Sequence, residues 1–298
     1  MKGLFIVLLV LSVGVLFGQL TLPFVDDFSG ADPGWSEVVV NPASVAENNH
    51  QVSRNVTTAD IQALDGNFEA PEGSNGEFLV MEVNAYDGVT QAVAYVLEAG
   101  DADNIIVEWR KMVWIEPGWT SATSEFAGVA VRSTDLLPDV GSDCGFMDDG
   151  YILRARTDYS GTFGSYAGLK KVVNNARQLP PLGRWMLFEE GSDGEGVHWD
   201  SRLININPEP DGEPIRVQNI WVTYRIELLG QQIRYFINDE PVFVLYDDDF
   251  DTGKIQLFMW DQWASTTNAH NKVLTIVDYF LVDEYVEPTS ASQWMLFQ

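Results

Sequence analysis

Cysteine, histidine and positive charge are scarce in this sequence, and each scarcity closes off a class of chemistry. Cys144 is the single cysteine, so no intrachain disulfide can form and an exported fold must be held by its core, with or without help from a metal. It sits in Gly-Ser-Asp-Cys-Gly beside no catalytic partner and reads as a small buried thiol. The three histidines, His50, His198 and His270, stand in loop-like contexts, with no Ser-His-Asp arrangement and no His/Cys cluster at zinc-ligand spacing. Seventeen basic residues face 44 acidic ones, and a net charge of −27 repels phosphate backbones and anionic lipid surfaces, which disfavours nucleic acid and membrane as partners. Beyond Gly18 no apolar run is long enough to cross a membrane. The run Leu4–Phe17, after Met1-Lys2, is shorter than the ~20 residues a bilayer requires and fits a secretory signal peptide cut near Gly18-Gln19. No cysteine follows it, which excludes a lipoprotein anchor. Residues 1–18 are therefore expected to be removed and the mature chain to be exported and soluble.

What is present is core material in strand-like pieces. With 46% hydrophobic and 12% aromatic residues, residues 19–287 suffice for one large all-β domain, followed by a tail over 288–298. The clearest stretch is Trp221–Asp261. Val222, Tyr224, Ile226 and Leu228 alternate with Thr223, Arg225 and Glu227, the period of a half-buried strand. Gly230 turns the chain, Ile233–Ile237 follows, Asn238-Asp239 supplies a tight hairpin, and Val242–Tyr246 returns. An acidic loop then leads through Gly253 into Lys254–Trp260. Further strands are expected at Phe78–Ala85, Gln91–Glu98, Asn104–Glu116, Glu125–Arg132, Tyr151–Arg156, Tyr166–Val173, Arg184–Glu189, Arg202–Ile206 and Val273–Val282, with a helical period around Thr57–Leu64 alone.

Trp-x-x-Tyr-Arg-Ile-Glu from Trp221, the hairpin ending Asn-Asp-x-Pro-Val, the Asp-rich loop, Gly-Lys-Ile-x-Leu and the closing Val-Asp-Tyr-Phe-Leu-Val resemble the C-terminal half of a concanavalin A-like lectin/glucanase jelly roll. Phe24-Val-Asp-Asp-Phe-Ser-Gly30 followed by Trp35 is similar to the opening strand of secreted bacterial members. The resemblance spans Phe24 to Glu287 and implies two packed antiparallel sheets of six or seven strands, the first and last strands side by side. These motifs are turn and packing signals, which specify architecture rather than chemistry.

Chemistry must come from constellations. Glu209-Pro-Asp-Gly-Glu213 matches the Glu-x-Asp-x-Glu signature of laminarinase-type glycosidases in this superfamily. Those carboxylates must alternate on a strand, however, and Pro208, Pro210, Gly212 and Pro214 forbid one, so the segment reads as a solvated loop. Ten tryptophans are more telling. Trp114, Trp119, Trp199, Trp260 and Trp263 fall opposite the presumed core face or in adjoining loops, where they either stack on sugar rings or pack under loops. On Asn104–Glu116 the inward set is Ile105, Val107, Trp109, Val113 and Ile115, leaving Glu108, Arg110, Met112 and Trp114 on the other face; Arg154 and Arg156 repeat that arrangement. Glu108, Arg110, Trp114, Trp119, Arg154, Arg156, Trp199, Trp260 and Trp263 are thus the candidate ligand-binding residues, and a polysaccharide or other glycan is the expected partner.

Asp247, Asp249 and Asp251 offer oxygen ligands at alternate positions before Gly253, so the loop is either a calcium loop without a distal Glu or a solvated turn. The resemblance also implies a structural calcium between first and last strands, drawing on Asp26 or Asp27 and on Asp278. Three functions remain open: a non-catalytic carbohydrate-binding or adhesion protein, a glycan-processing hydrolase with an unrecognised active site, and a structural surface or assembly protein. The tail ends in Trp294-Met-Leu-Phe297, and leaving four such side chains in water forgoes roughly 1.5–3 kcal/mol each. They are expected to fold back on the domain or to drive self-association.

Overall fold

A computed structural model describes residues 20–40, 50–83, 91–97, 104–115, 124–133, 149–158, 166–174, 176–178, 197–198, 219–261 and 273–286. The strands expected at Arg184–Glu189 and Arg202–Ile206, the Glu209–Glu213 segment, Cys144, His270, the leader and the tail lie outside them.

The described strands form two antiparallel sheets. The first contains β1 (Phe24–Asp26), β3 (His50–Thr57), β4 (Glu77–Val83), β6 (Asn104–Ile115), β12 (Val222–Leu229), β13 (Gln232–Ile237), β14 (Glu240–Tyr246) and β16 (Val273–Glu284). Their order is β14-β13-β12-β6-β16-β4-β3, with β1 also on β16. The second contains β2 (Ser36–Val40), β5 (Gln91–Leu97), β7 (Ser124–Ser133), β8 (Gly150–Asp158), β9 (Tyr166–Val173), β10 (Ala176–Gln178), β11 (Val197–His198) and β15 (Lys254–Asp261). It runs β10-β9-β8-β7-β15-β5-β2, with β11 on β9. The expected two-sheet antiparallel sandwich is the architecture found, with eight described strands per sheet instead of six or seven. First and last strands do pair, Phe24 opposite Val282 and Asp26 opposite Phe280. Among the described residues no helix is long and apolar enough to cross a membrane.

Alternation decides the core. Ile105, Val107, Trp109 and Val113 of β6, Tyr224, Ile226 and Leu228 of β12, and Leu257 and Met259 of β15 meet between the sheets. Trp109 stacks on Tyr224 with ring centroids 5.3 Å apart. A charged side chain enters this layer as well: Lys111, 1% exposed, donates from Nζ to the carbonyl of Ala127 on the facing sheet. Asn238 and Asp239 both take positive φ, as the hairpin between β13 and β14 requires.

Sequence periodicity did not reveal β2 and β3. In β3 the alternation breaks at Asn55, whose φ of 56° marks a register shift against β4, so no clean period of two survives in the chain. The helix around Thr57–Leu64 is real but short. In α1 (Thr58–Gln62) Thr57 caps the N-terminus and Asp60 returns the bond to the Thr57 backbone, a complete capping box.

Candidate functional site

The face of the first sheet turned away from the core carries most of the polar and aromatic side chains that the described residues present together. Strand β6 crosses it lengthwise: Asn104, Glu108, Arg110, Met112 and Trp114 alternate with the inward set, and the face changes character along the strand.

At one end it is covered. Helix α1 and residues 63–76 lie over it, and Ile61, Phe68, Phe78, Val80, Met112, Trp114, Leu274 and Ile276 form a second, smaller core. Trp114 is 2% exposed and its Nε1 donates to Asp65 Oδ2 at 3.1 Å. The Asn67 backbone and this indole hold the Asp65 carboxyl below the usual carboxylate range. Trp114 is therefore not a sugar-stacking ring. It did leave the main core as the alternation implied, but only to enter a satellite core under a connection.

The middle is a lattice of paired charges. Arg110 donates to Asp278 Oδ2 through Nε at 2.9 Å and Nη2 at 2.5 Å, and through Nη1 to the carbonyl of Glu72 at 3.1 Å. Tyr279 Oη donates to Glu108 Oε1 at 2.6 Å. Burial, and then this bond, push the Tyr279 phenol well above its ordinary pKa. Arg225 lies over the Phe236 ring at 4.2 Å and within 3.4 Å of Glu227 Oε1, while Arg234 Nη1 is 3.5 Å from Glu227 Oε2. Glu227 is 7% exposed and its Oε2 accepts no protein hydrogen bond. Burial raises its pKa and outweighs the two arginines that lower it.

At the far end the face opens into a cleft of about 700 Å³ lined by Asn104, Leu229, Gln232, Arg234, Tyr246 and Tyr285. The edge strand β14 ends in Tyr246, 60% exposed. Gln232 Nε2 donates to Tyr246 Oη at 2.5 Å and Arg234 Nε to Gln232 Oε1 at 2.7 Å; Arg234 Nη1 is 3.5 Å from Tyr285 Oη. Below them the Tyr285 backbone donates to the carbonyl of Asn104 at 3.0 Å, and Asn104 Oδ1 accepts from Gly230 at 3.1 Å. With Gln231 also in the lining, two phenol rings, three side-chain amides and a guanidinium thus surround one opening. A solvent-facing aromatic ring beside hydrogen-bonding groups already fixed in position is what a flat, hydroxyl-rich ligand requires.

The expected ligand-binding residues do not form one platform. Glu108 and Arg110 come together on the first sheet. Register puts Arg156 opposite Phe126 and Phe126 opposite Trp260, with Arg154 in the next row opposite Gly128, all on the second sheet. Alternation shows only that a residue points away from a core, and a sandwich has two such faces on opposite sides. The side chains of Arg154, Arg156 and Trp260, and the whole of Trp119, Trp199 and Trp263, lie outside the described residues. Gln232, Arg234, Tyr246 and Tyr285 were missed. The signal for the first two was their alternation with Ile233 and Tyr235; Tyr285 and Tyr246 join them only through strand order.

Four of the acidic candidates, Asp26, Asp278, Asp247 and Asp249, are engaged with cations the chain itself supplies. Asp26 is 4% exposed and accepts from Arg54 Nη1 at 2.7 Å, Arg54 Nη2 at 2.9 Å, Trp35 Nε1 at 2.6 Å and the Phe28 backbone at 2.9 Å. Asp27 closes its own turn, accepting from the Ser29 hydroxyl at 2.7 Å, and Asp278 holds Arg110. In the acidic loop, Lys171 bonds Asp247 at 2.6 and 2.9 Å and also pairs with Asp249, and Tyr151 Oη donates to Asp247 at 2.5 Å. Burial alone would lower the Lys171 pKa, but these two carboxylates raise it overall. Asp251 is exposed. Among the described residues no three His, Cys, Asp or Glu side chains are grouped to hold a metal ion. An arginine or a lysine thus stands beside Asp26, Asp278, Asp247 and Asp249, where a divalent cation would have to compete with it.

No family model matches the chain, and no curated protein matches it. Solved structures with a similar chain trace include a Bacillus licheniformis beta-glucanase (10% identity, 90% of this chain and 100% of that one, TM-score 0.46). Others are LamAcat from Zobellia galactanivorans (13%, 90% and 98%, 0.43) and the carbohydrate recognition domain of Emp47p (12%, 86% and 100%, 0.41). At these identities and scores no residue role passes to this chain.

Proposed function

We propose that the protein is an exported, non-catalytic carbohydrate-binding or cell-surface adhesion protein that holds glycan in the cleft between Tyr246 and Tyr285. The observation that carries this reading is the exposed Tyr246 ring beside the Gln232–Arg234 hydrogen-bonded pair, with Asn104 opposite. Two carboxylates elsewhere on the same face bear on binding against hydrolysis. Glu108 and Glu227 stand among Arg225, Arg234 and Tyr279 in the ion-pair lattice, so neither is presented to a glycosidic bond. An open cleft with one or two stacking rings implies dissociation constants of about a millimolar to a micromolar.

A glycan array on the mature protein, followed by titration of the best ligand, tests this. Tyr246→Ala is expected to lower affinity at least about tenfold, the loss of roughly one stacking contact, with an unchanged melting temperature. Wild-type affinity in that variant refutes the site. Loss of binding in Trp260→Ala instead moves the site to the second sheet, and release of new reducing ends from the bound glycan establishes the hydrolase.

A further inference from the structure

The cleft lies where the chain leaves the described fold. Strand β16 ends at Glu284, Tyr285 lines the cleft, and Val286 is 76% exposed. The twelve residues after it, 287–298, begin with a polar connector and carry Trp294-Met-Leu-Phe297. From β16 to β14 the sheet order counts four strand steps, a span of about 19 Å at roughly 4.8 Å each. Seven extended residues, 287–293, reach about 23 Å at roughly 3.3 Å each. The connector is thus long enough to bring Trp294 across the end of the sheet to Tyr246. Waiting at that rim is apolar surface that nothing described covers fully: Tyr246 at 60% and Val244 at 37% exposure on the outer edge strand, with Leu229 beside them.

From this we infer that the cleft is the docking site of the chain's own segment Trp294–Phe297, folded back within one molecule, so that tail and glycan exclude each other. The docking stands on reach and on matching apolar surface; the exclusion rests on the proposed glycan reading. A short tether holds the tail at a local concentration in the millimolar range, so weak contacts suffice to occupy the cleft.

The test uses the full mature chain carrying Trp294→Ser and Phe297→Ser, with cooperative melting as the check on folding. A fluorescein-labelled peptide of residues 288–298 is titrated against it. Saturable anisotropy binding to this variant, at least about tenfold weaker binding to the wild type whose own tail competes, and loss on adding Tyr246→Ser are the expected results. No binding to the variant, equal binding to the wild type, or indifference to Tyr246→Ser overturns the docking. A wild-type dimer in light scattering that becomes monomeric in the tail variant also overturns it, because the tail then docks on a second copy. Glycan affinity is measured in parallel. A rise in the tail variant supports exclusion, whereas peptide binding with unchanged glycan affinity refutes the exclusion and leaves the docking intact.

Discussion

The two ends of β6 show one surface put to opposite uses. Trp114 and Asn104 lie on the same side of the same strand, yet Trp114 is sealed under α1 and residues 63–76 while Asn104 floors an open cleft. Strand geometry treats both positions alike. The difference is that one connection crosses the face at the Trp114 end. Where it crosses, aromatic residues become a second core; at the other end, where no described segment crosses, Tyr246 is 60% exposed.

The largest test of this contrast is Trp114→Ala. Emptying a buried indole site costs about 3–5 kcal/mol, read as a fall in the denaturant midpoint. A loss under about 1 kcal/mol, the size of an ordinary surface change, puts Trp114 on an open face after all. The cover itself is weakened by Thr57→Ala, which removes the hydroxyl that accepts from the Asp60 backbone and donates to its carboxylate. About 1 kcal/mol is expected, and hydrogen exchange should rise over α1 and the Asp65 turn while staying unchanged at Tyr246. Uniform exchange across both ends breaks the distinction.

Between the two ends, Glu227 reports how dry the ion-pair lattice is. Its folded pKa is raised, so the folded state holds this proton more tightly than the unfolded state. The stability it contributes is present below the ordinary value of 4.5 and is lost as pH rises through the higher folded value. Glu227→Gln removes that loss, so the variant should gain on the wild type as pH rises above 4.5. A constant difference in midpoint across that range shows the arginines outweighing burial. The smallest expected effect is none: with Arg54, Arg110 and Lys171 supplying the positive charge, excess chelator leaves the melting curve unchanged. A lowered melting temperature restores a calcium site.

Much of the architecture was legible because it depends on local alternation. Val222–Leu229 with its hairpin and the apolar inward set of β6 follow from period two and turn chemistry, which any half-buried strand must obey, whereas the pairing of the two chain-end strands came only from the resemblance. The candidate site was legible only in fragments. Alternation with core residues put Glu108 and Arg110 on the outer face of the first sheet, where they stand in the ion-pair lattice outside the cleft, and the same rule placed Trp114, Trp260, Arg154 and Arg156 on one imagined surface. The acidic loop looked like a metal site because Lys171, its cation, lies 76 positions away in sequence.

The sequence by itself determined that the chain is all-β, which apolar residues of β6 and β12 face the core, and that its net charge is strongly negative, since these depend on neighbours one or two positions apart or on composition. Only the tertiary structure decided which sheet each strand joins, which outward face is covered, and which carboxylate finds which cation. Those outcomes depend on strand order and on one connection crossing β6, and contacts such as Asn104 with Gly230 or Tyr285 with Arg234 join residues too far apart for any local period to encode.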